Sequence, residues 1–261
     1  MKIKYKLLIL DVDGVLVFKN NFIPEKTYLS NLIDEGMLIT IATGRSLISA
    51  KNIVSQLGIK IPFISFNGSL IYDPVSNEIL YQKILSKLDL NQIISVANDF
   101  DIKPIFFTSS NVIATEENSI LENYCNNQNI NFQIDSLESL NNRELIKILF
   151  ISDNKSLSSF RHKIKNIIGF NHFFFTRKNY LELVSKSSSK FKATERLSSL
   201  TNIRLSQILA IGDQETDLEM LCRVGKGYCM PNSPAYVKEK VGLVAPKSDN
   251  VIENIVNENL C

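Results

Sequence analysis

The chain has 261 residues, of which 44% are hydrophobic and 21% are charged, and its formal net charge is +2. This near-neutral charge gives no electrostatic reason to expect a nucleic-acid or membrane partner. The four cysteines form no C-x-x-C pair, which is typical of reduced thiols rather than a disulfide frame, and two histidines make a histidine-rich zinc site improbable.

The N-terminal segment does not fit a secretory signal. Its apolar run ends at Asp11 after four residues, and no small-residue cleavage site follows. No segment reaches the roughly 18 uninterrupted apolar residues of a membrane span. We expect a cytoplasmic protein, either a monomer or a weak homodimer.

Short apolar segments alternate with helical segments over the first eighty residues. Such alternation is typical of a parallel sheet with helices on both faces. Glycines 36 and 58 are suitable C-terminal caps for the two helices. The predicted elements are strand 6–12, helix 24–36, strand 37–44, helix 46–58 and strand 61–68.

The segment from about 82 to 185 is richer in Asn, Ser and Lys and indicates a second small α/β unit inserted into the first. Two polar stretches, 126–133 and 140–144, are interpreted as loops. The predicted strands are 103–109, 146–152, 172–177 and 180–185, and the predicted helices are 91–100 and 156–168.

The first pattern resumes after residue 190. Helix 190–201, strand 206–213 and helix 216–225 are predicted, followed by two short strands at 226–232 and 241–247. We therefore predict an α/β fold: a doubly wound, mainly parallel, Rossmann-like core with an inserted smaller α/β cap domain. The core comprises 1–81 and 186–261, and the cap comprises 82–185.

Polar residues follow four of these strands. Asp11 and Asp13, separated only by Val12, end the first strand and project to the same side of an extended chain. Ligands of open parallel sheets bind outside the carboxyl ends of the strands. If the strands are neighbours, their ends place six polar residues at one edge of the sheet: Asp11, Asp13, Thr43, Asn67, Asp213 and Asp217.

Such an acidic cluster requires positive charge. Two like charges about 4 Å apart repel by roughly 4 kcal/mol at an effective dielectric of 20. Carboxylate oxygens suit Mg²⁺, which often combines a few carboxylates with water and a substrate phosphate. Lys190 is a candidate for a second positive charge, with Lys186 and Lys192 as alternatives in the same segment.

Other motifs fit poorly. A calcium-binding EF-hand loop starting at Asp11 would need Glu at its twelfth position, where Phe22 stands. The chain has no phosphate-binding G-x-x-x-x-G-K-[ST] loop, and no G-x-G-x-x-G follows the first strand.

Four segments occur in the order of the motifs of the haloacid dehalogenase superfamily: DVDGV (11–15), ATGR (42–45), Lys190 and GDQETDLEM (212–220). The chain resembles the Cof-type branch with a class IIB cap, whose α/β cap lies between the second motif and the lysine. FNGSLI (66–71) and MPNSP (230–234) also resemble stretches of that branch.

The resemblance implies catalytic roles for three residues. Asp11 would be the nucleophile that forms an aspartyl-phosphate. Asp13 would protonate the leaving group and then activate water. Lys190 would act with them and would also bind the transferring phosphoryl group.

The resemblance also implies a binding set. The side chains of Asp11 and Asp213 and the backbone carbonyl of Asp13 would hold Mg²⁺, and Asp217 would assist through water. Thr43 and Gly44 would bind the phosphoryl group. Asn67 either contacts that group or the substrate, or is a plain turn residue, and Arg45 is interpreted as structural.

The expected function is a Mg²⁺-dependent phosphatase of small phosphorylated metabolites: a sugar phosphate, a nucleotide or a cofactor phosphate. The cap would select among them, with hinges near 82–84 and 185–189. The alternatives are a phosphomutase, or a degenerate regulatory protein that binds a phosphorylated ligand.

Five residues depart from the family pattern and together suggest an unusual substrate or reduced activity: Val15, Phe191, Thr216, Pro231 and Ser233. Three of them, Phe191, Thr216 and Pro231, motivate the second alternative.

Overall fold

The computed structural model describes residues 5–18, 22–86, 88–168 and 171–260. The chain divides into two compact units. The first comprises Met1–Arg45, Ala50–Tyr81 and Ser189–Cys261, and the second comprises Ser46–Ser49 and Gln82–Ser188. Within the described residues, no helix has both the length and the apolar character to cross a membrane.

The strands and helices alternate along most of the chain. The strands are β1 (Leu7–Leu10), β2 (Leu38–Ile41), β3 (Phe63–Ser65), β4 (Leu70–Asp73), β5 (Glu78–Gln82), β6 (Ile105–Phe107), β7 (Val112–Ala114), β8 (Gln133–Ile134), β9 (Lys147–Ile151), β10 (Asn171–Arg177), β11 (Tyr180–Ser185), β12 (Ile208–Gly212) and β13 (Lys226–Cys229). The helices are α1 (Lys26–Asp34), α2 (Leu47–Leu57), α3 (Leu90–Asn98), α4 (Ser119–Gln128), α5 (Leu137–Leu140), α6 (Asn154–Ile164), α7 (Lys190–Thr201), α8 (Glu215–Arg223), α9 (Ala235–Val241) and α10 (Val251–Leu260).

The first unit is built on a four-stranded parallel sheet in the order β13-β12-β1-β2. Every residue of β1 and of β12 is buried. Strands of a parallel sheet that are covered on both faces have such continuous apolar sequences. This sheet confirms the predicted α/β fold with a parallel core.

The strand order creates a switch point beside β1. The chain places β2 on one side of β1 and later places β12 on the other side. Ligands of open α/β sheets bind where the strand order reverses, at the carboxyl ends of the strands. The ends of β1 and β12 are therefore the expected place for a site.

The predicted third strand differs from expectation. β3 is joined to the end of β2 only by a parallel bridge between Ala42 and Ile64, and it belongs to a separate three-stranded sheet in the order β3-β4-β5. Strands β4 and β5 are not among the elements predicted from the sequence. Because β4 pairs with β3 in antiparallel fashion, the chain turns back directly after Asn67 and Gly68.

The second unit contains a six-stranded sheet in the order β10-β11-β9-β6-β7-β8. Its pairs are antiparallel except for β7 with β8. Phe150 of β9, Ile93 of α3, and Leu157 and Phe160 of α6 belong to one buried apolar cluster. The alternation of apolar residues along the strands thus gives one face of this sheet a hydrophobic core of its own.

Two local predictions were wrong. The presumed loop 126–133 overlaps the last turn of α4 and the first residue of β8. Instead of a strand at 241–247, the structure has the end of α9 and a single bridge from Val244 to Cys229.

The division of the chain between a core of 1–81 and 186–261 and a cap of 82–185 stays a prediction. By their contacts, residues 46–49 and 186–188 group with the second unit.

Candidate active site

The loops that follow β1 and β12 approach each other closely. The Asp11 backbone N–H donates to the carbonyl of Ile211 at 2.9 Å. Gly14 has φ +87°, and a Cβ at this position would lie 2.7 Å from Oδ2 of Asp213. Only glycine combines this backbone conformation with the close approach of a carboxylate. The DVDG turn thus brings Asp11 and Asp213 to one place.

Lys190 connects two of the acids. Its ammonium Nζ lies 2.7 Å from Oδ1 of Asp11 and 2.6 Å from Oδ1 of Asp217, and the residue is 2% exposed. Ser189 caps α7 by accepting a hydrogen bond from the backbone N–H of Lys192, which fixes Lys190 as the first helical residue. The alternatives Lys186 and Lys192 are exposed.

The start of α7 is also fixed by the turn after β3. Gly68 has φ +92°, and a Cβ there would lie 2.1 Å from the carbonyl oxygen of Ser189. Any larger residue would push the two segments apart. The backbone of this turn therefore packs directly against the residue that precedes Lys190.

Asp217 is fully buried in the first turn of α8. Its Oδ2 accepts hydrogen bonds from the backbone N–H groups of Asp213, at 3.1 Å, and Gln214, at 3.0 Å. A carboxylate in the first turn of a helix satisfies such free N–H groups. Both oxygens of Asp217 are thus engaged, one by Lys190 and one by the backbone.

Asp213 follows β12 and is 7% exposed. Its Oδ2 accepts a hydrogen bond of 2.7 Å from the side-chain amide of Gln214. Its Oδ1 is buried and has no hydrogen-bond partner among the described residues. One carboxylate oxygen from each of Asp11, Asp213 and Asp217 can be chosen so that all three lie within 4.8 Å of one another.

The cluster raises the pKa of two carboxyls. Burial, and next the charge of Asp217, raise the pKa of Asp11 well above its usual range against the opposing effect of Lys190. Burial and Asp217 likewise raise the pKa of Asp213 to about 6. Burial alone would lower the pKa of Lys190, but Asp11 and Asp217 outweigh it and raise that pKa.

These residues fit a divalent cation. When all are ionised, three carboxylates face one ammonium group and leave two negative charges uncompensated. The buried oxygen of Asp213 has no donor within the described part of the chain, and leaving such an atom unsatisfied is unfavourable. Hard carboxylate oxygens and a missing double positive charge match the preferences of Mg²⁺.

Asp13 pairs with Arg45. Nε and Nη2 of Arg45 donate to the two carboxylate oxygens of Asp13, each at 3.0 Å. The Arg45 side chain is 6% exposed and that of Asp13 is 39% exposed. A bidentate pair of this kind fixes the orientation of the carboxylate.

Thr43, Gly44 and Asn67 lie together where β2 and β3 end. Thr43 is buried, and its hydroxyl oxygen accepts a hydrogen bond from the backbone N–H of Arg45 at 3.1 Å. The N–H of Asn67 donates to the carbonyl of Thr43 at 2.9 Å. A Cβ at Gly44 would lie 2.8 Å from the amide nitrogen of Asn67, so these loops pack without a gap.

One of the unusual residues has a structural explanation. Phe191 is 1% exposed, lies in the apolar cluster of the first unit and has the Arg223 guanidinium 4.1 Å above its ring. The carbonyl of Pro231 accepts a hydrogen bond from Lys238 at 3.1 Å, but any residue would supply this carbonyl. Thr216 is half-buried in α8, and nothing in the structure explains why it replaces asparagine.

Sequence reasoning missed two side chains of the site. Arg45 was interpreted as structural, although its position beside Thr43 was a signal that it could reach the first loop. Gln214 received no role. Gln214 lies between Asp213 and the start of α8, where a side-chain amide can donate a hydrogen bond to the carboxylate of Asp213. That position was the available signal.

The chain is similar to known phosphatases and hydrolases over most of its length. The sequence model of a family described as haloacid dehalogenase-like hydrolase matches residues 8–255. A curated protein of Yersinia enterocolitica named HMP-PP phosphatase is 28% identical over 252 residues, which covers 91% of this chain and 88% of that protein.

Solved structures share the fold. A haloacid dehalogenase-like hydrolase from Bacteroides thetaiotaomicron has a TM-score of 0.88 at 19% identity, covering 98% of this chain and 99% of that one. A structure described as the HAD subclass IIB sugar phosphatase BT4131 has a TM-score of 0.82 at 20% identity, covering 97% and 98%. At these identities the likeness concerns the fold alone.

Proposed function

The chain belongs to the haloacid dehalogenase-like hydrolases, and on that basis we propose that it is a phosphatase that hydrolyses small phosphorylated metabolites through an aspartyl-phosphate on Asp11. The observation that carries the proposal is the buried contact of Asp11 with Lys190, beside the unsatisfied oxygen of Asp213. An ionised carboxylate held by an ammonium group at a sheet switch point is suited to nucleophilic attack. The relative named HMP-PP phosphatase supports the reaction class.

The cation of this proposal is Mg²⁺. The side chains of Asp11 and Asp213 and the backbone carbonyl of Asp13 would hold it, with Asp217 beside them. A bound Mg²⁺ would neutralise negative charge on the acids and on the transferring phosphoryl group.

Asp11 would be the nucleophile, and Asp13 would donate a proton in the first step and accept one in the second. A bond forms between an Asp11 oxygen and phosphorus while the bond from phosphorus to the leaving oxygen breaks, and Asp13 gives its proton to that oxygen. Water then attacks phosphorus as Asp13 takes a proton from it, and the bond to Asp11 breaks. Inorganic phosphate leaves, and both aspartates return to their starting states.

Lys190, Thr43, Gly44 and Asn67 would orient the phosphoryl group. Lys190 is already desolvated, so its charge acts strongly on a nearby anion. Arg45 occupies both oxygens of Asp13, and at least one of these hydrogen bonds must be given up when Asp13 contacts the leaving group. The role of residues 82–185 as a substrate-selecting cap remains a prediction.

Phosphate release from a panel of sugar, nucleotide and cofactor phosphates, with Mg²⁺ or with EDTA, tests the proposal. We expect release that requires Mg²⁺ and is lost in Asp11→Asn, which removes the nucleophile with little change in shape. Asp34→Asn, an exposed residue of α1, is the matched control and should be fully active.

Other outcomes would change the assignment. Phosphate binding without release by folded wild-type protein would contradict a phosphatase and favour a ligand-binding protein. Transfer of the phosphoryl group to an acceptor sugar would identify a phosphomutase.

A further inference from the structure

We propose that Gln214 selects the cation of this site, because its amide occupies one oxygen of Asp213 and leaves only the other for a metal ion. The inference rests on the proposed function, since it concerns the same cation. It assigns Gln214 as a positioning residue that favours Mg²⁺ over Ca²⁺.

The two oxygens of Asp213 have different surroundings. Oδ2 accepts the 2.7 Å hydrogen bond from Nε2 of Gln214, and it also faces Gly14, where a Cβ would lie 2.7 Å away. Oδ1 is buried without a hydrogen-bond partner among the described residues. Asp213 therefore presents one satisfied oxygen and one oxygen that still needs a positive partner.

The position of Gln214 is itself fixed. Its backbone N–H donates to Oδ2 of Asp217 at 3.0 Å, which holds the start of α8. The amide of Gln214 therefore reaches Asp213 from a fixed backbone, although the residue is exposed. A hydrogen bond to a metal ligand from outside the coordination sphere fixes the ligand's orientation and tunes its affinity.

The neighbouring carboxylates are restricted in a similar way. Lys190 donates to Oδ1 of Asp11, and both oxygens of Asp217 already accept hydrogen bonds. The cluster thus favours single oxygens over bidentate carboxylates. At Asp213, the second oxygen accepts its hydrogen bond from the side chain of Gln214, which a single substitution can remove.

A site in which each carboxylate offers a single oxygen favours Mg²⁺ over Ca²⁺. Mg²⁺ requires nearly octahedral coordination and accepts single carboxylate oxygens with waters. Ca²⁺ takes six to eight oxygens and uses bidentate carboxylates readily. Freeing Oδ2 of Asp213 would therefore weaken the orientation that Mg²⁺ needs and would open the bidentate arrangement that Ca²⁺ accepts.

The test is calorimetric titration of the full-length, metal-free protein with MgCl₂ and separately with CaCl₂. The variants are Gln214→Met, which removes the amide at similar length, and Gln214→Glu, which replaces the donor with an acceptor. Gln56→Met, an exposed glutamine of α2, is the matched control. Thermal unfolding in EDTA checks that each variant is folded.

We expect Gln214→Met to raise the Mg²⁺ dissociation constant about tenfold or more, the usual size of such effects. Its Ca²⁺ dissociation constant should rise less or fall, so that the preference for Mg²⁺ decreases. Gln214→Glu should shift the preference in the same direction, and Gln56→Met should leave both constants unchanged.

An unchanged ratio of the two constants in either folded Gln214 variant would overturn the inference. A loss of thermal stability in EDTA with an unchanged ratio would also overturn it, because a purely structural hydrogen bond behaves in that way. Neither result would affect the proposed function, which depends on phosphate release by wild-type protein and on Asp11→Asn.

Discussion

Each of the two units buries a lysine against a carboxylate, but in the first unit the same lysine also contacts a second carboxylate. In the second unit, Lys147 is 1% exposed and its Nζ lies 3.1 Å from Oε1 of Glu182, which is 5% exposed. In the first unit, Lys190 contacts two carboxylates and a third lies close by.

The difference shows how a candidate metal site is distinguished from a buried ion pair that only stabilises the fold. One ammonium group and one carboxylate form a neutral pair, which the fold can retain without any additional ion. The first unit leaves two carboxyls with raised pKa values and one buried oxygen without a donor among the described residues. That imbalance supports the proposal that the first unit binds a cation.

Replacing Lys190 should have the largest effect. Lys190→Met removes the only ammonium group seen to contact Asp11 among the described residues, so we expect phosphate release to fall by about 10²- to 10³-fold. Lys192→Met, on the exposed side of the same helix, is the control and should retain wild-type turnover. Equal activity in both variants would contradict a catalytic role for Lys190.

Replacing Lys147 should affect stability instead. Lys147→Met leaves Glu182 buried without its ammonium partner, and we expect the free energy of unfolding to fall by about 3–5 kcal/mol in urea denaturation. Lys147→Met combined with Glu182→Leu should recover most of this loss because no charge then remains unpaired. A double variant as unstable as the single one would contradict a balanced pair.

Replacing Arg45 should have a smaller effect on turnover. Arg45→Lys keeps the charge but loses the two parallel hydrogen bonds to Asp13, so we expect phosphate release to fall about tenfold. In Asp13→Asn, the additional Arg45→Lys change should have little further effect. Arg204→Lys, at an exposed position, serves as the control.

The smallest expected effect is on the pH dependence of stability. Burial raises the pKa of Asp213 from 3.8 to about 6, so the metal-free protein loses stability as pH rises through this window, because the unfolded state releases a proton that the folded state still holds. Protons compete with Mg²⁺ for the same carboxylate. The increase in Tm caused by Mg²⁺ should therefore be larger at pH 8 than at pH 5. In Asp213→Asn the pH dependence should be reduced but not abolished, because the raised pKa of Asp11 also contributes to it. A Mg²⁺ effect that is equal at both pH values in wild-type protein would contradict this expectation.

The core strands were predictable because each is a short apolar run followed by a polar turn. β1, β2 and β12 lie where the sequence places them. Helix α4 was missed because its sequence SILENYCNNQ is largely polar, although Leu121, Tyr124 and Cys125 are buried. These three positions can be recognised as buried only once the structure shows the segments that pack against them.

The sequence by itself determined the order of the motifs, the family they resemble and the acids expected at the strand ends. Tertiary structure alone decided that Lys190 contacts both Asp11 and Asp217, that Arg45 pairs with Asp13 across 32 positions of chain, and that one oxygen of Asp213 has no donor among the described residues. The physical reason is that residue identity fixes what charge a side chain can carry. Desolvation and partner geometry, which set the free energy of that charge, exist only after distant segments meet.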